Sequence, residues 1–186
     1  MKITLVRHGK PAASSNERVT SSGFAKWVRA YNLSYIEETS LPPDQLAKQL
    51  MGHYIFSSDL NRAHHSAQLC LGKQPDAIMS ELREMDIPRF RWPLTMSINK
   101  WLVLSRVCWL LGFSAKSESF LSGRERAVRA TEQIIEQASI TPNIAVFGHG
   151  VANRLIAKEL KRRGWEVQAN NSGFWGITEL TRTAPV

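Results

Sequence analysis

Hydrophobic positions in this chain fall into two kinds of run. Short, mostly apolar stretches occur at KITLV (2–6), YIFSS (54–58) and NIAVFG (143–148). They are too short for helices, and the spacing predicts buried strands. Longer stretches carry apolar residues three or four apart. Phe24, Trp27, Val28 and Tyr31 predict a helix over Gly23–Tyr31, and LPPDQLAKQL opens a second with proline near its first turn. DLNRAHHSAQLCL predicts a third, capped by Ser58 or Asp59. Residues 97–113, SINKWLVLSRVCWLLGF, form the most apolar stretch and have helical spacing. Ser122–Ala138 predicts a long amphipathic helix with Val128, Ile134 and Ile135 toward the core. HGVANRLIAKELKRRG predicts a helix that ends at Gly164, its last turns basic in accord with the helix dipole. DAIMS is a short strand candidate, ELREMDIP a connection, and FWGITELT (174–181) a closing strand.

Strands that alternate with helices predict an α/β class protein, a sandwich around a largely parallel sheet. Ligands in such folds sit beyond the carboxyl ends of the strands. Without an internal repeat, low-complexity run or linker, residues 1–186 read as a single domain.

Composition changes this picture little. Of 186 residues, 43% are hydrophobic and 22% charged, as in ordinary globular proteins, which argues against disorder. The two cysteines, Cys70 and Cys108, have neither CxxC nor zinc spacing and read as reduced, buried thiols. ITLV is too short for a signal-peptide core and is interrupted at once by Arg7 and His8. No run approaches the ~20 apolar residues of a membrane span, so no transmembrane segment and a cytoplasmic location are expected. The net charge of +8 suits anionic partners in general. With no recognisable reading motif, nucleic acid is not an expected partner.

The strand ends carry the chemistry. The first strand ends in Arg7-His8-Gly9, with Lys10 behind it. The second ends in Ser57-Ser58, with Arg62 one turn into the next helix, and the third ends in Gly148-His149-Gly150. In a parallel sheet these tips share one edge, and two arginines and two histidines meet there. Such a set suits a phosphoryl group. Guanidinium forks bind phosphate oxygens and stay charged, while a neutral imidazole is a competent nucleophile near pH 7. Gly9 and Gly150 allow close backbone approach. A lone strand-end histidine is more often structural, so the weight lies on the combination.

That combination resembles the histidine phosphatase superfamily, in the branch of phosphoglycerate mutase-like enzymes and small phosphatases. The matching stretches are LVRHG, VTSSG, SSDLNRAHHSAQ, LRE (82–84), ES (118–119), FGHG (147–150) and NNS (170–172), in family order over nearly the whole chain. The resemblance implies a three-layer α/β/α sandwich and a phosphomonoester hydrolase that needs no metal or other cofactor. His8 would become phosphohistidine, and Arg7, Arg62 and His149 would clamp the phosphoryl oxygens. Glu84 would protonate the leaving oxygen and later activate water. Gly9 and Lys10 would border the bound phosphate, with Lys10 free instead to face solvent, and Ser57 or Ser58 would orient a neighbour. Phosphorylated small molecules or phosphoproteins are the implied substrates. Phosphoglycerate mutase-type transfer and a non-catalytic phosphate-binding scaffold are the alternatives.

The sequence departs from the family pattern in two places. Lys10-Pro11 follows RHG where many relatives have an acidic or amide residue and then Ser or Thr. MDIPRFRWP follows Glu84, and Glu81 stands three residues earlier as a rival acid. Residues 89–121 occupy the place of a substrate-covering cap. Their tryptophans Trp92, Trp101 and Trp109 suit a core or cap helix, with a homodimer contact or a membrane-surface helix as alternatives. Arg89 and Arg91 could select an acidic substrate at the pocket mouth. His64-His65 point about 100° apart on a helix and lack companion ligands, so no metal site is expected. His53 reads as a surface loop residue, and Lys158, Lys161, Arg162 and Arg163 as a solvated helix end.

Overall fold

The computed structural model describes residues 1–183. A six-stranded sheet runs β4 (Ala77–Met79), β3 (Tyr54–Ser58), β6 (Asn143–Gly148), β1 (Lys2–Arg7), β8 (Ile177–Thr181), β7 (Glu166–Asn170) in spatial order. β4, β3, β6 and β1 are parallel, while β8 runs antiparallel to β1 and to β7. The sheet is thus mostly parallel, and helices cover both of its faces. Alternation along the central strands makes the two layers. Ile3 and Leu5 stand opposite Ile144 and Val146 and pack under α5 (Phe120–Ile140) and α6 (Gly150–Arg162). Val6, Ala145, Phe147 and Ile55 point the other way, onto α2 (Asp44–Gln49) and α3 (Asn61–Leu71). Both faces of β1 and β6 are therefore dry, the reason their sequences read as unbroken apolar runs.

The long helix α5 uses smaller residues than its pattern predicts. Gly123, Ala127, Ala130 and Ala138 lie with Ile134 on the buried face, while Val128 and Ile135 are only partly buried. Small side chains bring α5 close against α6 and the sheet. It also starts at Phe120, two residues early, because Ser119 accepts the Ser122 N–H as N-cap.

A third cluster lies outside the sandwich. α1 (Ser21–Leu33) and α4 (Ile98–Leu110) pack through Phe24, Val28 and Trp101, and Trp27, Trp92 and Leu102 surround them. A two-stranded antiparallel ribbon, β2 (Arg18–Thr20) with β5 (Thr95–Ser97), ties the segment before α4 to the segment before α1. α4 is amphipathic: Ile98, Trp101, Ser105 and Trp109 are buried, while Val103, Val107 and Leu110 are exposed. Cys70 is buried, where burial pushes its thiol up to about 11, and Cys108 is half-buried. Among the described residues no helix is long and apolar enough to cross a membrane.

Candidate active site

The carboxyl ends of β1, β3 and β6 lie side by side, because β6 pairs with both of the others. His8 leaves β1 buried at 2% exposure, and His149 leaves β6 fully buried, their ring centroids 5.1 Å apart. Arg62, in the first turn of α3, is 1% exposed and directs its Nε at His8 Nε2, 3.3 Å away. Arg7 crosses the Phe174 ring at 4.4 Å, and the same ring lies 5.9 Å from that of His8. Two guanidiniums and two imidazoles therefore converge as the strand-end motifs predict.

Hydrogen bonding fixes the state of the His8 ring. His8 Nδ1 lies 2.7 Å from the Gly9 carbonyl oxygen, which can only accept, so Nδ1 carries the proton and Nε2 the lone pair. Burial first, and then the Arg62 charge, lower the His8 pKa to about 3, which keeps the imidazole neutral. Ser58 Oγ accepts from the Leu60 N–H at 3.3 Å and lies within hydrogen-bond distance of His149 Nε2, at 3.0 Å. His149 Nδ1 is a buried atom without a protein partner. Burial, reinforced by Arg62 and His8, holds the His149 pKa well below its ordinary value. Of the two serines offered by the sequence, Ser58 orients His149, while the Ser57 hydroxyl donates to the Ser58 carbonyl.

Several contacts outside the motifs hold these groups. Arg7 Nη1 donates to the Ser172 carbonyl at 2.8 Å, so the NNS turn seats the first arginine, whose Nε is buried and unpartnered. Arg62 Nη1 donates to the Tyr31 carbonyl, and its guanidinium lies 4.8 Å over the Tyr31 ring. Ser66 accepts from the Gly9 N–H and donates to the Arg62 carbonyl, one hydroxyl bracing both segments. Trp175 adopts a left-handed backbone (φ 58°), held there as its N–H donates to the Arg7 carbonyl and its indole to Ser40. This turn explains why β8 begins at Ile177 rather than Phe174.

Glu84 reaches the same cleft. Its Oε1 accepts from the N–H groups of Met85, Val151 and Ala152 at 3.0–3.2 Å, and Oε2 accepts from Val151 alone at 3.1 Å. Val151 and Ala152 stand in the first turn of α6, so the start of that helix fixes the position of the Glu84 carboxyl group. Glu81 sits in a 3₁₀ turn beside Ser80 and does not line the cleft. Arg126 fixes the segment between them. It makes a two-pronged ion pair with Glu118 at 2.7 Å and donates to the carbonyls of Glu81 and Arg83.

Beside these groups a cleft of about 620 Å³ is bordered by Arg7, Glu84, Phe174, Trp27, Tyr31 and α4, while His8, Arg62 and His149 are not part of its lining. Lys10 lies outside it, with its ammonium 2.9 Å from Glu37. Arg89 pairs with Asp86, and Asp59 pairs with Arg83 instead of capping α3. His64 and His65 lie on α3, and His65 packs edge-on against Tyr35. Among the described residues no cluster of three or more His, Cys, Asp or Glu side chains could hold a metal ion.

Residues 40–181 match the histidine phosphatase superfamily (branch 1). The chain belongs to that superfamily. The match begins after β1, so Arg7 and His8 lie outside the matched residues and stand beside them through the β1–β6 pairing. No curated protein matches the sequence significantly. Among solved structures, the product of an open reading frame of Mycobacterium tuberculosis aligns at a TM-score of 0.66 and 19% identity, over 100% of this chain and 93% of its own. A phosphoserine phosphatase mutant of Entamoeba histolytica, in complex with phosphoserine, gives 0.60 and 17%, over 96% and 89% of the two chains. The α-ribazole phosphatase of Shigella flexneri gives 0.56 and 21%, over 86% and 79%. At these identities the likeness is one of fold.

Proposed function

We propose that this protein hydrolyses phosphomonoesters through a phosphohistidine on His8. The observation that carries the reading is a pair of buried, unpartnered nitrogens, Arg7 Nε and His149 Nδ1, beside a neutral His8. With the His149 proton on Nδ1 both are donors; unsatisfied buried donors are costly, and an anion that accepts from both removes that cost. His8 Nε2 attacks phosphorus, and the bond from phosphorus to the ester oxygen breaks. Glu84 gives its proton to the departing oxygen, from Oε2, the oxygen with the freer lone pair. Arg7, Arg62 and the His149 Nδ1–H bind the phosphoryl oxygens and stabilise charge in transit. In the second half, Glu84 takes a proton from water as its oxygen attacks phosphorus. The P–N bond breaks, and phosphate leaves with His8 neutral again.

Structural neighbours described as phosphatases support hydrolysis over mutase transfer. The Glu84 carboxylate at the cleft favours turnover over a binding-only scaffold. The test is phosphate release from a phosphomonoester panel with chelator present, alongside trapping of an acid-labile phosphoenzyme. Wild type should turn over, His8→Ala should neither turn over nor label, and Glu84→Gln should lose roughly 10²–10⁴-fold in kcat. Equal inertness of wild type and His8→Ala, with both binding phosphate esters, would leave the scaffold reading.

A further inference from the structure

The wall of the cleft is of a different character from its base. Trp27, Leu102, Val103 and Phe174 form much of the wall, with Ser14, Ser15, Asn16 and Asn99 as neutral polar edges. Its second guanidinium, Arg106, is committed: it donates to the Met85 and Asp86 carbonyls and lies 4.8 Å over Trp109. Lys10, Arg83 and Arg126, the nearby cations that could greet an acidic leaving group, are ion-paired with Glu37, Asp59 and Glu118.

The apolar wall does not stop at the mouth. Val103 lines the cleft at 66% exposure, Val107 (48%) and Leu110 (58%) continue from it along one face of α4 at helical spacing, and Leu111 (70%) follows at the helix end. Scattered exposed apolar residues need no explanation, but a continuous stripe that leads out of a reactive cleft does. We propose that the alcohol released at this site is a long hydrocarbon, so that the substrate is an amphiphilic phosphomonoester with its phosphate at His8 and its apolar body along α4. This rests on the phosphohistidine reading above. Continuity with the cleft argues for a substrate chain over a second protein copy, because Val103 belongs to both the cleft wall and the stripe.

A series of n-alkyl phosphates from ethyl to decyl tests it, since their leaving oxygens are nearly equal in basicity and only buried length changes. For wild type, kcat/KM should rise roughly three- to fourfold per added methylene while the chain has wall to cover. Phosphoserine and 3-phosphoglycerate should fall below the longer alkyl esters. Val103→Asp and Val107→Asp, both at exposed positions, should flatten the slope. A flat series with labelled phosphoenzyme, or a preference for the acidic esters, overturns the hydrocarbon substrate and leaves the phosphohistidine route standing. A flat series together with a dimer in sedimentation that Val103→Asp dissociates makes the stripe a contact between copies. Absence of both hydrolysis and label from every ester overturns the two readings together.

Discussion

Arg62 Nε donates to His8 Nε2 across 3.3 Å, so an arginine from the second strand–helix unit holds the one nitrogen of the first that carries a lone pair. The contact aims the imidazole and keeps a positive charge where phosphoryl oxygens would arrive. It also disfavours protonation, since a second cation beside Arg62 would be repelled. Arg62→Lys retains charge but has no planar fork to span His8 and the Tyr31 carbonyl together. Activity should fall by about 10²-fold or more, on the order of 3 kcal/mol of transition-state stabilisation. Steady-state kinetics with circular dichroism as a folding control would check it. Near-wild-type kcat/KM in a folded Arg62→Lys protein would contradict the role.

The two neutral imidazoles predict acid sensitivity of the fold. The His8 pKa is lowered from 6.5 to about 3 and that of His149 is lowered as well, so the unfolded chain takes up these protons first as pH falls. Stability should therefore drop as pH falls below 6.5 and should be independent of these groups above it. Each histidine contributes a slope of about 1.4 kcal/mol per pH unit within that window. Urea denaturation at pH 7, 6 and 5 measures it, with His8→Gln as the comparison that isolates one ring. If His8→Gln loses stability with acid as steeply as wild type, His8 is not held neutral by the fold.

Gly9 is a position where a methyl group has no room. A Cβ there would stand 2.8 Å from two atoms of the Trp175 indole and 2.9 Å from Ser40 Oγ. Both neighbours are fixed, because Ser40 accepts from the indole and from the Lys10 N–H. Gly9→Ala should destabilise by about 1–3 kcal/mol and shift the Gly9 carbonyl that holds the His8 tautomer. Thermal unfolding and turnover should fall together. Unchanged values for both would mean that the Trp175 turn yields easily.

How much of this was legible in the sequence depends on where each contact is made. Strands β1, β3 and β6 could be read because burial on both faces leaves little polar interruption, and their ends carry Arg7, His8 and His149 within a residue or two. β7, EVQAN, is an edge strand with mostly exposed residues, and its pattern carries no burial signal. β2 and β5 are three residues each and exist through pairing between distant segments. Trp175 reads as a strand residue by type, yet its left-handed backbone makes it part of a turn. In the site, Tyr31, Ser66 and Phe174 escaped notice because each acts through a contact made only once the chain is folded. The choice of Glu84 over Glu81 needed the start of α6, whose N–H groups receive it.

Arg126 should act on the chemistry without touching the substrate. It holds Glu118 with both prongs and the carbonyls of Glu81 and Arg83 with Nη1, and so fixes the turn from which Glu84 extends. Removing it should loosen the acid while His8 and the phosphate-binding groups stay in position. A loosened acid matters only for esters whose leaving oxygen needs a proton. Arg126→Ala should therefore lower kcat for an alkyl phosphate by roughly 10- to 100-fold and that for p-nitrophenyl phosphate far less, in the same sense as Glu84→Gln. Arg126→Lys, able to make some but not all of these bonds, should fall between. If Arg126→Ala slows both esters equally, the residue serves the stability of the turn alone. The leaving-group ratio, measured on enzyme shown to be folded, separates the two roles.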